Sequence, residues 1–166
     1  MSDVTIRRGQ LGDVPALTDI YNHYVVETPI TFDIEPYTVE QRREWFEGFA
    51  DTGPYQIFVA ERWGSVLGYA ATLRYRPKAA YQSSVETSIY IAPDAMGRGL
   101  GGRLYQALFD GLRGAPVHRV LAAVTLPNGA SIALHHRFDF SEVGVFHEVG
   151  FKLGRYWDVA WLEKSL

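Results

Sequence analysis

An α/β fold, with a mixed central sheet covered by helices on both faces, is what this sequence predicts. Three observations carry that expectation. Stretches of alternating and of helical apolar spacing follow one another in the order β-α-α-β-β-β-α-β-α-β-β. A glycine-rich run, with glycines at 97, 99, 101 and 102, stands where a strand hands over to a helix. The chain has 166 residues, 47% of them hydrophobic and 14% aromatic, which suits one packed domain over residues 1–166.

The elements follow in order. Val4–Arg7 reads as a short strand. A helix is expected from about Asp13 to Val26, because Val14, Leu17, Ile20, Tyr21, Tyr24 and Val25 recur at helical spacing. Asp13 is its expected N-cap, ahead of Pro15. Thr38 with Gln41 forms the pattern of a capping box and predicts a second helix through Phe49. Strands are predicted at Tyr55–Glu61 and Ser65–Leu73, turning through Trp63 and Gly64, and again at Val85–Ile91. A helix over Gly99–Arg113, a strand over Val117–Val124 and a short helix from Asn128 come next. Strands near Ser141–Val149 and Tyr156–Leu162 complete the chain.

Several function classes are excluded or disfavoured by composition. There is no cysteine, so disulfides, thiolate metal sites and any cysteine nucleophile are ruled out. The 16 basic residues against 19 acidic ones, with no long basic run, argue against a nucleic-acid partner. No apolar run approaches the ~20 residues of a membrane span. Met1 to Gln10 lacks the apolar core of a signal peptide, which places the expected protein in the cytoplasm. No metal site is expected.

Glycine inside a helix costs roughly 0.8–1 kcal/mol against alanine, so four of them at a helix start call for a reason. A helix N-terminus offers unpaired N–H groups and partial positive charge, and glycines let a phosphate approach that backbone closely. Arg98 adds a full charge, and Leu100, Leu104 and Leu108 anchor the helix on the sheet. A plain flexible turn is the bland alternative, but it would not carry glycine into the first helical turn. A Walker loop requires Gly-Lys-Ser/Thr, and Gly102-Arg103-Leu104 is not that. Gly97, Gly99 and Gly102 satisfy a dinucleotide fingerprint, yet the next predicted strand ends Ala123-Val124-Thr125 without the acidic residue that fingerprint needs.

The run V-E-T-S-I-Y-I-A-P-D-A-M-G-R-G-L-G-G resembles motif A of the GNAT superfamily of N-acetyltransferases, whose pattern is Q/R-x-x-G-x-G/A. The match falls on Met96, Gly97, Arg98, Gly99, Leu100 and Gly101, with Met96 departing from the usual Gln or Arg. Nearly the whole chain is further similar to the phosphinothricin and methionine sulfoximine acetyltransferase group. I-Y-N-H-Y-V, T-P-I-T-F-D, Y-R-P-K-A-A-Y, L-P-N-G-A-S-I-A-L-H-H and V-G-F-K-L-G-R-Y-W-D-V carry that similarity. Phe138-Asp139-Phe140 departs where the group has a glycine before the aromatic, which is expected to alter a helix C-cap.

Acetyl transfer needs a proton acceptor for the amine, a donor for the thioester oxygen and a proton for the departing sulfur. Glu86 is the candidate base. Alternation sets Glu86, Ser88 and Tyr90 on one face of their strand and Val85, Thr87, Ile89 and Ile91 on the other. A glutamate on a solvated sheet face is the alternative. The resemblance implies that this strand splays from its neighbour. It assigns Ile89, Tyr90, Ile91, Gly97, Arg98, Gly99, Leu100, Gly101, Gly102, Asn128 and Ser131 to acetyl-CoA, with an N–H near Ile89 polarising the carbonyl. Ser131 and His135, one turn apart, share a helix face. By resemblance His135 stands near the CoA sulfur and protonates it; a surface histidine is the alternative. Arg74, Arg76 and Lys78, clustered with Tyr75 and Tyr81, are the candidate clamp for an anionic acceptor, with a basic solvated loop the alternative, and Phe32 is expected to close over an apolar side chain.

Taken together, these readings predict a GNAT-fold enzyme that uses acetyl-CoA to acetylate the α-amino group of a small amino-acid-like compound. Acceptors of the phosphinothricin, methionine sulfoximine or methionine sulfone type are expected, by direct transfer in a ternary complex. Protein N-termini, polyamines and a non-catalytic acyl-CoA sensor are the alternatives. Relatives imply a homodimer.

Overall fold

Alternating apolar segments close into a seven-stranded sheet, and the two longest amphipathic helices cover its opposite faces. The structure, a computed structural model, describes residues 3–166; Met1 and Ser2, part of the N-terminal stretch read above, lie outside the described residues. The strands are β1 (Thr5–Arg8), β2 (Ile57–Arg62), β3 (Ser65–Arg74), β4 (Ser84–Ile91), β5 (Arg119–Thr125), β6 (Ser141–Lys152) and β7 (Arg155–Ser165). The helices are α1 (Val14–Glu27), α2 (Val39–Phe46), α3 (Leu100–Gly111) and α4 (Gly129–Arg137). Their sequence order is the predicted one. In space the strands lie in the order β1-β2-β3-β4-β5-β7-β6, with β4–β5 the parallel pair among antiparallel ones.

One apolar layer packs α3 on the sheet through Leu100, Leu104, Tyr105, Leu108 and Phe109 against Val85, Val120 and Ala122. The other packs Leu17, Ile20 and Tyr24 of α1 against Val59, Tyr69 and Ala71. Each fully buried leucine or valine contributes roughly 1.5–3 kcal/mol of transfer free energy. Gly68 of β3 is required by close approach: a Cβ there would lie 2.8 Å from the Tyr90 carbonyl oxygen. Among the described residues, no helix is long and apolar enough to cross a membrane.

Two local expectations are refined. The Thr38–Gln41 capping box forms, but α2 ends at Phe46 rather than Phe49. Asp13 does not cap α1 with its side chain, because a short 3₁₀ turn (Leu11–Asp13) precedes the helix. Its carboxylate instead takes two bonds from the Arg7 guanidinium, each 2.8 Å, and one from the Gln10 N–H. Burial opposes ionisation of Asp13, and these donors overcome it, holding the carboxyl below its usual range.

At the end of α4, Phe140 N–H bonds the His135 carbonyl and Asp139 N–H bonds that of His136. This is a Schellman closure in which Asp139 holds the left-handed position at φ 64°. The aspartate thus fills the glycine's role at a conformational cost. Asp139→Gly is expected to raise stability by a few tenths to about 1 kcal/mol. At this chain length that is an increase of up to about 4 °C in Tm. An unchanged or lower Tm in thermal denaturation would contradict the assignment.

Candidate active site

The sheet opens in its middle. β4 and β5 pair only at Ser84↔Arg119, Val85↔Val120 and Glu86↔Leu121. Beyond that point β5 stays with β7 as far as Thr125↔Val159, while β4 stays with β3 as far as Ile91↔Gly68. The Ala92 N–H bonds the Leu67 carbonyl at 2.8 Å. With the β3–β4 register, the antiparallel alternation makes Tyr90–Tyr69 and Ser88–Ala71 the hydrogen-bonded pairs and turns the peptide groups of Ile89 and Ile91 toward the gap. The Ile91 carbonyl accepts the Tyr24 hydroxyl at 2.5 Å. The backbone of Tyr90, expected to serve the cofactor, is committed to β3. Its ring instead joins those of Tyr21, Tyr24 and Tyr69 on the α1 face.

The gap holds a cavity of about 430 Å³ lined by Glu86 through Tyr90 on one side and Ala123 through Thr125 on the other. A neighbouring cavity of about 280 Å³ is lined by Met96, Gly97, Arg98, Gly99, Leu100 and Gly101, and shares Ile89, Asn128 and Ser131 with the first. Gly97 and Gly99 hold left-handed φ of 73° and 72°. Gly99 precedes α3 without a side-chain cap, so the N–H groups of the first turn face the cavity unpaired within the helix. Such a row of donors fits a diphosphate. Arg98 lines this cavity with its guanidinium bonded to the Asp94 carbonyl at 2.9 Å. Gly102 faces elsewhere, toward the Arg137 guanidinium. Asn128 caps α4, its side-chain oxygen accepting the Ser131 N–H at 3.1 Å.

Glu86 lies where this central cavity meets a third one, which is floored by α2. Burial pushes its carboxyl above the ordinary range, against a weaker pull from Arg76. Arg76 stacks over Tyr75, whose ring meets those of Tyr81 and of Trp161, a residue lining the central cavity. Arg76 and Tyr81 are therefore grouped at the rim. Arg74 is not with them: its guanidinium bonds the carbonyls of Arg76 and Pro77 and braces the β3–β4 connection. Phe32 lines both cavities beside Glu86, its ring pressed on the backbone of Gly150 in β6. Lys152, also buried, bonds the Thr31 carbonyl at 2.7 Å and pins the same segment.

His135 is buried rather than on the helix surface, at 3% exposure. Its Nδ1 lies 2.7 Å from the Ser131 carbonyl, which only an N–H can satisfy, so Nε2 accepts the Tyr105 hydroxyl at 2.9 Å. Burial lowers the imidazole pKa. The neutral ring has no proton to present to the cavity, which corrects its expected role as direct acid. Tyr105, which lines the cavity, was missed in the sequence because it sits at core spacing in α3. Its only signal there is a hydroxyl in an apolar face, which demands a partner.

Comparison with known proteins agrees with this geometry. The model of the Acetyltransferase (GNAT) family matches residues 17–140. A phosphinothricin N-acetyltransferase of Streptomyces coelicolor is 52% identical over 99% of this chain and 98% of its own. An L-methionine sulfoximine/L-methionine sulfone acetyltransferase of Pseudomonas paraeruginosa is 37% identical over 98% and 94%. The crystal structure of a GNAT superfamily phosphinothricin acetyltransferase from Sinorhizobium meliloti, in complex with acetyl-CoA, superposes with a TM-score of 0.92. It is 30% identical, covering 99% of this chain and 89% of its own.

The Tyr105–His135 bond is testable through stability. Tyr105→Phe strands a buried Nε2 acceptor, at a cost of about 1–3 kcal/mol, and His135→Phe takes from the buried Tyr105 hydroxyl its acceptor while leaving Thr87 beside it. Urea denaturation of both variants and of the double variant should show the double loss falling short of the sum by about 1 kcal/mol or more. Additive losses would break the pair.

Proposed function

The chain belongs to the GNAT acetyltransferase family, and from that premise we propose how residues 1–166 act as one N-acetyltransferase domain. The acceptor is the α-amino group of a small amino-acid-like compound of the phosphinothricin, methionine sulfoximine or methionine sulfone type, as the names of the relatives suggest. The observation that carries the reading is the placement of Glu86 at the junction of two cavities, with a carboxyl raised by burial. A non-catalytic acyl-CoA sensor has no use for such a group.

Acetyl-CoA, held by the first-turn N–H groups of α3 and by Asn128, supplies the activated acetyl group. Glu86 accepts the proton of the acceptor amine; its raised pKa brings it nearer to the working pH of a general base. The Ile89 N–H faces the gap and serves as the donor toward a carbonyl oxygen there. The Tyr105 hydroxyl is a rotor: turned from Nε2, it offers a hydrogen bond to a leaving sulfur. Arg76 at the rim neutralises an acceptor carboxylate. The absence of cysteine leaves direct attack in a ternary complex as the simplest route.

A second copy of this chain is the proposed partner. The β6–β7 hairpin exposes Val143, Phe146, Val149, Phe151 and Tyr156, an apolar strip that borders the central cavity through Phe146 and Val149. Light scattering on Phe151→Glu should show a monomer where the parent is a dimer; a parent that is monomeric at working concentration refutes the proposal.

The catalytic reading is tested by CoA thiol release. Glu86→Gln should lower kcat by roughly 100-fold or more while the KM for acetyl-CoA stays within about threefold of the parent. The rising limb of the parent pH profile should lie above the ordinary glutamate range and vanish in the variant. The sign for stability is opposite: a raised carboxyl binds its proton more tightly in the folded state, so stability falls as pH rises through the window above the ordinary pKa. Glu86→Gln should therefore melt no lower than the parent at pH 8. Full turnover in the variant removes Glu86 from the mechanism.

A further inference from the structure

The third cavity, about 490 Å³, adjoins the central one at Thr31, Phe32, Glu86, Ser88 and Tyr90. Arg42 of α2 lines it and is 5% exposed. Its guanidinium carbon stands 3.5 Å from the centre of the Trp45 ring and 4.5 Å from that of Tyr21, and one terminal nitrogen donates to the Tyr69 hydroxyl at 3.1 Å. Its Nε is buried with no hydrogen-bond partner. Among the described residues no carboxylate forms an ion pair with it. Asp33 lines the same cavity, but its carboxylate takes the Tyr21 hydroxyl.

A buried cation persists when something compensates it. Aromatic faces attract the charge but accept none of its N–H bonds in plane. A guanidinium offers five donors in a fixed fork suited to the oxygens of a carboxylate or a tetrahedral centre. Here one donor is used, Nε is orphaned, and the fork stands in a cavity that opens on the proposed base. The missing partner is an oxygen that arrives with the acceptor.

We propose that Arg42 determines acceptor specificity by binding an oxygen of the acceptor side chain, phosphinyl or sulfonyl, while the α-amine lies at Glu86 and the α-carboxylate at the rim. This rests on the amino-acid-like acceptor proposed above. Rigid aromatic walls from Tyr21, Tyr37 and Trp45 hold the fork, so a substrate oxygen meets donors that need no reorganisation. Acceptors of the same length without that oxygen leave the donors unpaired and are rejected.

Methionine sulfone and methionine differ only in two oxygens and make the test. CoA thiol release is measured for both with the parent, Arg42→Met and Arg42→Lys, alongside Tm and calorimetric titration of methionine sulfone. The ratio of kcat/KM for methionine sulfone over methionine should fall 30-fold or more in Arg42→Met, chiefly through KM, and less in Arg42→Lys. Equal losses for both acceptors, or an unchanged ratio, overturn the proposal; equal losses place the α-carboxylate or a purely structural role on Arg42. If Arg42→Met fails to fold, an unchanged ratio in Arg42→Lys overturns it, because an ammonium lacks the fork. A parent that binds methionine sulfone in an Arg42-dependent way without turnover supports this inference and sinks the acetyltransfer reading. No binding to the parent sinks both.

Discussion

Everything at the site follows from the separation of two parallel strands. β4 and β5 share three residue pairs and then diverge, each keeping its other neighbour. A buried peptide group without a partner costs free energy comparable to a lost hydrogen bond, so a sheet that parts in its interior is unstable unless something fills the opening. On the β4 side one such group is already served, the Ile91 carbonyl by Tyr24. The peptide N–H of Ile89 is left facing the gap. The same divergence creates the central cavity and sets Glu86, the last paired residue of β4, at its mouth. The defect in the sheet and the site are one feature.

Two further structures support the open edges. The start of α3 lies at the far end of the gap, where left-handed Gly97 and Gly99 turn its unpaired N–H groups toward the space between β4 and α4. On the opposite side the connection between α1 and α2 forms a wall, and it is tied to β6 by contacts that loop residues rarely make. Phe32 sits on a glycine backbone, and a buried lysine holds the Thr31 carbonyl. Burial lowers the Lys152 pKa, and that strain is tolerated because its ammonium meets carbonyl oxygens of the wall. The wall in turn separates the central cavity from the one around Arg42, so the position of Phe32 couples both.

Much of this was legible in the sequence, for physical reasons that differ by element. Element order came from periodicity, which reports burial on one face. That is why β2, β3 and α3 were read within a few residues, while α2, short and polar, was read too long. The glycines were legible because they violate helix propensity where nothing but backbone access explains the violation. Glu86 was legible as a carboxylate on a predicted central strand beside the glycine run, together with the resemblance of that strand to motif A. Arg42 and Lys152 were not legible: in V-E-Q-R-R-E-W-F and F-K-L-G a cation reads as solvated, and only tertiary packing shows it buried. Asp13 and Arg74 failed differently. Asp13 was read as a helix cap and Arg74 as part of an anion clamp, and each is occupied by a partner that spacing does not reveal, Arg7 for one and the carbonyls of Arg76 and Pro77 for the other.

His135 shows how a second neighbour decides a residue's chemistry. Histidine near a leaving group suggests an acid, but an imidazole acts through whichever nitrogen carries the proton, and that is set by the bond on the other side of the ring. The Ser131 carbonyl, a backbone group of the same helix, requires Nδ1–H. Nε2 is then an acceptor, and burial resists the second proton that would make it a donor. Tyr105 then supplies the hydrogen in their shared bond, and both side chains are buried. Burial also raises the phenol pKa, so it disfavours the charged form of both rings. That leaves Glu86, whose carboxyl burial has moved toward neutrality, as the group at the gap suited to the proposed proton transfer.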